Sequence, residues 1–395
     1  MQQIRDVMVV SGVRTAIGEF GGGLSTVPPT ELGAIVVRET LRRTEVSGSD
    51  VGQVCFGHVI HTEAKDMYLA RVVALDGGVA ESAPALTVNR LCGSGLQAIV
   101  SAAQSIALGD TDIAVAGGAE SMSRSAYAAT AVRWGTRMGE IRLVDMMVGA
   151  LTDPFNQYHM GVTAENVAAR YEVSRVDQDA LAAESHRRAA QAIERGYFKS
   201  QIVPVTVRTK KEETVVELDE HVRGGTTAEQ LAKLKPAFQK EGTVTPGNAS
   251  SLNDGAAAVM LMDRASAERR GLAPLARLVA YAHSGVDPAY MGIGPVQATR
   301  NVLQRAGLSI TDIDVIEANE AFAAQACAVA RELGFDASRV NPNGSGISLG
   351  HPIGATGAIN TVKALYELQR TGGRYALVTM CIGGGQGIAA IFERV

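Results

Sequence analysis

The chain predicts an α/β fold with a duplicated core: two similar halves with mixed, mostly parallel sheets, plus one long inserted segment. Three observations lead there. The first is an internal repeat. Leu41-Arg-Arg-Thr with Ser47-Gly-Ser-Asp50-Val-Gly-Gln-Val54 has a counterpart in Leu303-Gln-Arg-Ala with Ser309-Ile-Thr-Asp312-Ile-Asp-Val-Ile316. Leu41/Leu303, Asp50/Asp312 and Val54/Ile316 share one offset, which marks a repeated structural unit. The second is alternation of strand-like and helical segments, which requires crossover connections and parallel strand pairs. The third is a break in that pattern, from roughly Ser121 to Ser250, where charge is denser.

Taken in order, the chain passes from Met1-Gln-Gln-Ile-Arg-Asp6 directly into the strand-like Val7-Met-Val-Val10, without the pattern of a signal peptide. Each copy of the repeat reads as helix, short loop with an acidic residue, then strand. After Cys92, the residues Leu96, Ile99, Val100, Ala103, Ile106 and Ala107 recur at helical spacing, and Gly109-Asp110 ends the helix before the strand Asp112–Ala116. The insertion holds a long helix from Ser174 to about Arg195, opened by Ser174-x-x-Asp177 and closed by Gly196. The charged run Arg208–Glu213 reads as a solvated turn or strand edge. Gly255–Met262 returns to the first half as a buried strand. In the second half, Asp314–Ala318 is a strand. Ala358, Ile359, Val362, Leu365 and Tyr366 form a helix face that ends at Gly372-Gly373, and Tyr375–Met380 is the following strand. Val88–Gly95 echoes Val340–Gly346, and Cys92 and His351 fall at nearly the same offset as the first pairs, short by three residues. The duplication therefore brings them to the seam between the halves. The expected units are 1–121 with 251–273, an insertion over 122–250, and 274–395.

Composition narrows the function classes. At 395 residues the chain is long enough for two or three domains, and 46% apolar with 20% charged residues describes a well-packed globular protein. A net charge of -4 argues against a nucleic-acid partner, which would call for a basic excess. The four cysteines, Cys55, Cys92, Cys327 and Cys381, are too scattered for a disulfide framework, and no C-x-x-C pair or close His/Cys cluster suggests a metal. No apolar run reads as long enough to span a bilayer, so a cytoplasmic protein with no membrane partner is expected.

The residues that can carry chemistry lie in glycine-rich settings. Cys92, in Asn89-Arg-Leu-Cys-Gly-Ser-Gly-Leu-Gln-Ala98, is a candidate nucleophile at the head of a helix. A helix N-terminus helps an anion by about 0.3–1 kcal/mol, less than the ~1.36 kcal/mol of one pKa unit, so a base is needed. His351, in Gly346-Ile-Ser-Leu-Gly-His-Pro-Ile-Gly-Ala-Thr-Gly357, suits that role. Cys381 stands at a strand end before Ile-Gly383-Gly-Gly, where open α/β sheets present ligands. It either packs there or acts as a thiolate base, with the Gly383 N–H aimed at a developing oxyanion. Asn319, after its strand, can orient a water or donate directly to an oxyanion.

These segments resemble the thiolase superfamily from end to end. The resemblance rests on Ser11–Gly18, Asn89–Ala98, Gly117-Gly-Ala-Glu-Ser-Met122, His159-Met-Gly-Val-Thr-Ala-Glu-Asn166, Asn248-Ala-Ser250, Asn319-Glu-Ala-Phe322, Gly350–Gly357 and Cys381–Gly387. His159-Met160 resembles the biosynthetic and β-ketothiolase branch, which includes bacterial enzymes supplying 3-ketoacyl-CoA for polyhydroxyalkanoate synthesis. The resemblance implies a thiolase-like duplicated core and a reversible ping-pong Claisen condensation of acetyl-CoA with a short acyl-CoA. In it Cys92 carries the acyl group, His351 deprotonates it, and Cys381 removes the α-proton. His351 with a water held by Asn319 would form one oxyanion hole, and the N–H groups of Cys92 and Gly383 the other. Coenzyme A, a substrate and not a cofactor, would lie near Leu151, His159, Met160, Arg223, Phe238 and Ser250, with Met291 and Phe322 lining the acyl pocket. A homotetramer is also implied. Pro246, Ser251 and Gln230 depart from the family's usual residues around the coenzyme A site. A papain-like hydrolase would not need the second thiol. A decarboxylating condensing enzyme would carry histidine in place of Cys381, and a non-catalytic acyl carrier would lose Cys92. A degradative 3-ketoacyl-CoA thiolase is the alternative within the family.

Overall fold

The computed structural model describes residues 5–208 and 212–395. Its centre is one mixed sheet whose strand order repeats itself. The first half contributes β1 (Val7–Thr15), α1 (Pro29–Thr44), β2 (Gln53–Gly57), α2 (Leu69–Asp76), β3 (Ala85–Val88), α3 (Ser94–Leu108) and β4 (Ile113–Ser121). The insertion carries α4 (Met160–Arg170) and α5 (Arg175–Glu194), and the chain rejoins the sheet as β5 (Asn253–Asp263). The second half follows as β6 (Ala276–Gly285), α6 (Gly294–Ala306), β7 (Val315–Ala318), α7 (Ala323–Leu333), α8 (Thr356–Thr371), β8 (Tyr375–Ile382) and β9 (Gln386–Glu393). The order across the sheet is β7-β8-β9-β6-β1-β5-β4-β2-β3. Read outward from the β6–β1 junction, β6-β9-β8-β7 matches β1-β5-β4-β2, so the repeat seen in the sequence is a pseudo-twofold of the fold.

Both copies of the repeat take the expected form. α1 leads through a short 3-10 turn, Gly48–Asp50, to β2, and α6 leads through Ile310–Asp312 to β7, with Ser47 and Ser309 at equivalent caps. The parallel pairs demanded by crossovers lie toward the two ends of the sheet, β7 with β8 and β2 with both β3 and β4. Through the middle, β8–β9, β9–β6, β6–β1, β1–β5 and β5–β4 run antiparallel. In the insertion, the Ser174–Asp177 capping box forms as expected, and α5 stops before Gly196, which takes φ +72°. The expected turn at Arg208–Glu213 falls partly on 209–211, outside the described residues. It is flanked by a paired hairpin, Val205–Arg208 with Glu213–Val216.

α3 and α8 lie side by side in the interior. α3 packs on β2 and β4, and α8 reaches strands of both halves, β1 and β5 as well as β7 and β8. The span Leu91–Leu108 is long and apolar enough to cross a membrane by composition, which corrects the expectation that no such run exists. Most of it is instead buried against the sheet and α8, with Leu108 left exposed at the end. The two helices touch through glycine. A Cβ on Gly95 would lie 2.7 Å from the backbone nitrogen of Ala358, and one on Gly357 would strike the backbone nitrogen of Leu96. Neither obstacle is a flexible side chain.

This contact sets the sign of a substitution. In an unobstructed helix, replacing glycine by alanine stabilises by about 1 kcal/mol. At Gly357 the added methyl meets backbone, and overpacking costs about 1–3 kcal/mol. Gly357→Ala should therefore lower the denaturant midpoint. A midpoint at or above wild type would show that α3 and α8 are not held in backbone contact.

Candidate active site

Cys92 precedes the N-cap of α3, Gly93, in a tight turn. The preceding residue, Leu91, takes φ +44°, a conformation that costs a non-glycine residue about 1–3 kcal/mol and persists only where its surroundings enforce it. Here the enforcement is local. Ser94 Oγ accepts from Arg90 N–H at 2.8 Å and donates to Leu91 O at 2.6 Å, while Asn89 Oδ1 accepts from Leu91 N–H at 2.9 Å. The thiol thereby lies where the N–H groups of Gly383 and of Cys92 itself favour its thiolate. Burial nevertheless pushes the Cys92 thiol up to about 11, against those two donors, and the buried Glu120 carboxyl adds to the rise.

His351 sits before α8, and two side chains of the first half grip its turn. Asn253, at the start of β5, accepts the His351 N–H at 2.8 Å. Glu120, near the end of β4, accepts N–H bonds from Gly354 at 2.8 Å, Val59 at 3.2 Å and Ile60 at 3.1 Å. The imidazole bonds Thr356 Oγ1 through Nδ1 at 2.7 Å, and Asn319 Nδ2 stands 3.4 Å from Nε2. Burial pushes His351 down to about 4. Asn319 is buried, and its Oδ1 has no hydrogen-bond partner among the described residues, leaving an acceptor for a water or substrate proton. Cys381, at the end of β8, is fully buried in an apolar cluster with Met160, Met291 and Phe322. Burial, and then the neighbouring Cys92, push its thiol up still further. The resting site thus holds neutral thiols and a neutral imidazole.

Two contiguous cavities lead to these groups. An outer one of about 630 Å³ is lined by Leu151, His159, Arg223, Phe238, Ser250 and Phe322 and reaches His351. An inner one of about 50 Å³ is lined by Cys92, His351, Gly383, Leu151, Met160, Ser250, Met291 and Phe322. Every substrate-contact residue expected from the sequence lines one or both, whereas Asn319 and Cys381 lie behind the inner wall. The insertion is keyed to the chemistry here. Ala249 pairs with Phe322, Ser250 N–H donates to Ala321 O at 2.9 Å, and Ser185 Oγ donates to Glu320 Oε2 at 2.6 Å. His159 caps α4 by accepting the Gly161 N–H at 3.0 Å and stacks on Phe238, with 4.7 Å between ring centroids. Of the departures noted in the sequence, Pro246 and Ser251 line the outer cavity, while Gln230 closes a local capping box with Thr227.

Sequence reasoning passed over Glu120, Asn253 and Thr356, although Glu120 and Thr356 stand inside quoted motifs. It also passed over His186 and His221, which line the outer cavity. Glu120 and Asn253 act across the seam between halves, which leaves no periodicity to read.

Family models for the thiolase N-terminal domain and the thiolase C-terminal domain match residues 7–265 and 272–394. The chain is 69% identical to the beta-ketothiolase BktB of Cupriavidus necator, over 99% of this chain and 100% of that one. It superposes on the crystal structure of the Bacillus anthracis acetyl-CoA acetyltransferase with TM-score 0.98, at 46% identity and full coverage of both chains. The human mitochondrial 3-ketoacyl-CoA thiolase in complex with CoA matches with TM-score 0.96 at 44% identity, over 99% of this chain and 98% of that one. The chain belongs to the thiolase family of acyltransferases.

Proposed function

We propose that the protein condenses acetyl-CoA with a short acyl-CoA to a 3-ketoacyl-CoA and free CoA, reversibly, through an acyl group on Cys92. The observation that carries this is the convergence of Cys92, His351 and the Gly383 N–H on one small inner cavity, with Cys381 buried directly behind it. Cys92 Sγ attacks the thioester carbonyl as its proton passes to His351, and the oxyanion is received by the N–H groups of Cys92 and Gly383. The CoA sulfur leaves with the Cys381 proton, so an imidazolium and a Cys381 thiolate remain. That thiolate takes the α-proton of acetyl-CoA, and the enolate, with its oxygen facing His351 and a water held by Asn319, attacks the acyl carbon. Cys92 leaves and recovers its proton from His351, which closes the proton count.

An inner space of about 50 Å³, where one water needs ~10–15 Å³, is closed by Met160, Met291 and Phe322 and supports a short acyl group over a long one. Rates across 3-ketoacyl-CoA substrates of increasing length separate this reading from the degradative one. The BktB similarity supports a place in polyhydroxyalkanoate synthesis. Homotetramer assembly is supported by a run of exposed apolar side chains, with Trp134 92% and Met138 93% exposed beside Ile141 and Leu143, because such patches mark protein contacts. Four free cysteines support a cytoplasmic location.

The two thiols should separate by step. Cys92→Ser should lose turnover and acyl-enzyme together, since a hydroxyl is far less ionised. Cys381→Ser should still be acetylated at Cys92, because a CoA thiolate can leave with the His351 proton, but should lose exchange of the acetyl α-protons with solvent. Label on Cys55 or Cys327, or exchange at the wild-type rate in Cys381→Ser, would overturn these roles.

The pH dependence follows from burial. A histidine depressed to about 4 stays neutral as pH falls past 6.5, so the base remains available and the acid limb of kcat/KM should lie well below 6.5. The same depression contributes stability that is present above 6.5 and lost as pH falls through about 4, and His186, also pushed down to about 4 by burial, acts in the same sense. A limb centred near 6.5 would show that the base is not the buried imidazole.

Arg223 stands at the outer cavity with its side chain 68% exposed and 3.5 Å from Glu19. Lining the outer cavity and not the inner one that holds Cys92, it should bind ground and transition states alike. Arg223→Ala should raise KM for CoA substrates by a factor of about 2 to 10, the scale of a solvent-screened contact, with kcat unchanged. A pantetheine thioester, which lacks the nucleotide, should show no such rise. An equal loss on both substrates would assign Arg223 to the fold.

A further inference from the structure

We infer that Thr356 is a positioning residue that fixes the tautomer of His351 and so decides which ring nitrogen takes the Cys92 proton. The inference rests on His351 being the base. It follows from counting protons on one hydroxyl. Thr356 Oγ1 lies 2.9 Å from Pro352 O and 2.7 Å from His351 Nδ1. Two oxygens 2.9 Å apart need a proton between them, and a carbonyl, which here also accepts the Ala355 and Thr356 N–H groups, can only accept, so the single hydroxyl proton of Thr356 is directed to Pro352 and lone pairs face the imidazole. Nδ1 must then carry the ring proton. The other neighbour of Nδ1, Asn319 Nδ2 at 3.5 Å, is a donor and cannot accept it. Nε2 is left as the basic nitrogen, with the donor Asn319 Nδ2 at 3.4 Å, on an imidazole that lines the inner cavity with Cys92.

The arrangement is fixed by its setting. Thr356 is 2% exposed and His351 6% exposed, so water is poorly placed to replace the hydroxyl. Thr356 is the first residue of α8, and the Asn253 bond to the His351 N–H holds the backbone while the hydroxyl holds the ring. Without the hydroxyl, a buried Nδ1–H loses its acceptor, and the ring gains by moving its proton to Nε2 or by turning, either of which removes the base from Cys92.

Thr356→Val keeps the shape and deletes the acceptor. Leaving a buried donor without its acceptor is worth about 5- to 150-fold, and that factor should appear equally in kcat and in the rate of Cys92 acylation by acetyl-CoA, with KM for CoA unchanged. Thr356→Ser should restore both rates to within a few-fold. In the wild type, 15N NMR of the His351 ring should show the proton on Nδ1. Finding it on Nε2 overturns the inference without any variant. So does a Thr356→Val enzyme that acylates at the wild-type rate, or a Thr356→Ser enzyme as slow as the valine variant. His351→Asn separates the two readings. If it still acylates normally, the assignment of the base falls. If it is inactive while Thr356→Val is normal, only the role of Thr356 falls.

Discussion

The site depends on one steric fact, the backbone contact between α3 and α8 at Gly95 and Gly357. Each glycine lies just inside the start of its helix, and each lacks the atom that would push the other helix away. Because both helices meet at their N-termini, the turns that lead into them arrive at the same place. One turn carries Cys92 and the other His351. A duplicated fold thus turns a symmetric contact into an asymmetric dyad, since the residues at the two equivalent positions have different chemistry. The first half then tightens the arrangement from outside the helices, through Glu120 to Gly354 and Asn253 to His351.

Depth has an electrical consequence. Burial disfavours the charged form of every group in the centre, raising both thiols and lowering the histidine. A site of neutral groups does not carry a permanent ion pair that a water could exploit. On the proposed reaction, charge appears as bonds change, and backbone N–H donors that need no rearrangement would meet it. The strained Leu91 belongs to the same design, since the left-handed turn at that residue brings the thiol to the Gly383 N–H.

Much of this was legible in the sequence, for identifiable reasons. The repeat announced the pseudo-twofold, since Ser47/Asp50 and Ser309/Asp312 flank the same 3-10 turn in both halves. The capping box at Ser174 and the stop at Gly196 are local chemistry, and they appeared where expected. The antiparallel middle of the sheet was not legible. β5 was read as a strand, but the register that sets it between β1 and β4 is decided by partners far apart in the chain. Leu91–Leu108 shows the reverse problem, for uniform apolarity suits a membrane and a protein interior equally. Among site residues, those with distinctive chemistry were found and those that hold them were missed. A thiol in a glycine run has few other uses, but a threonine that orients a histidine is the same letter as any other threonine.

The insertion divides the work of binding from that of bond making. It is tied to the first half by a buried, bidentate pair, Arg14 with Asp219 at 2.7 and 2.9 Å, and Asp219 also accepts the Ile17 N–H at 2.9 Å. It is tied to the second half through Ser185, and through Asn248, which bonds Asp179 at 2.9 Å and whose carbonyl accepts the Ala323 N–H at 2.8 Å. A segment fastened to both halves cannot shift against one without straining the other. The outer cavity is therefore registered to the inner one, and a long substrate gripped at its far end presents its carbonyl at a set depth. That fixed depth bears on Cys92, where misplacement by a single ångström would be felt.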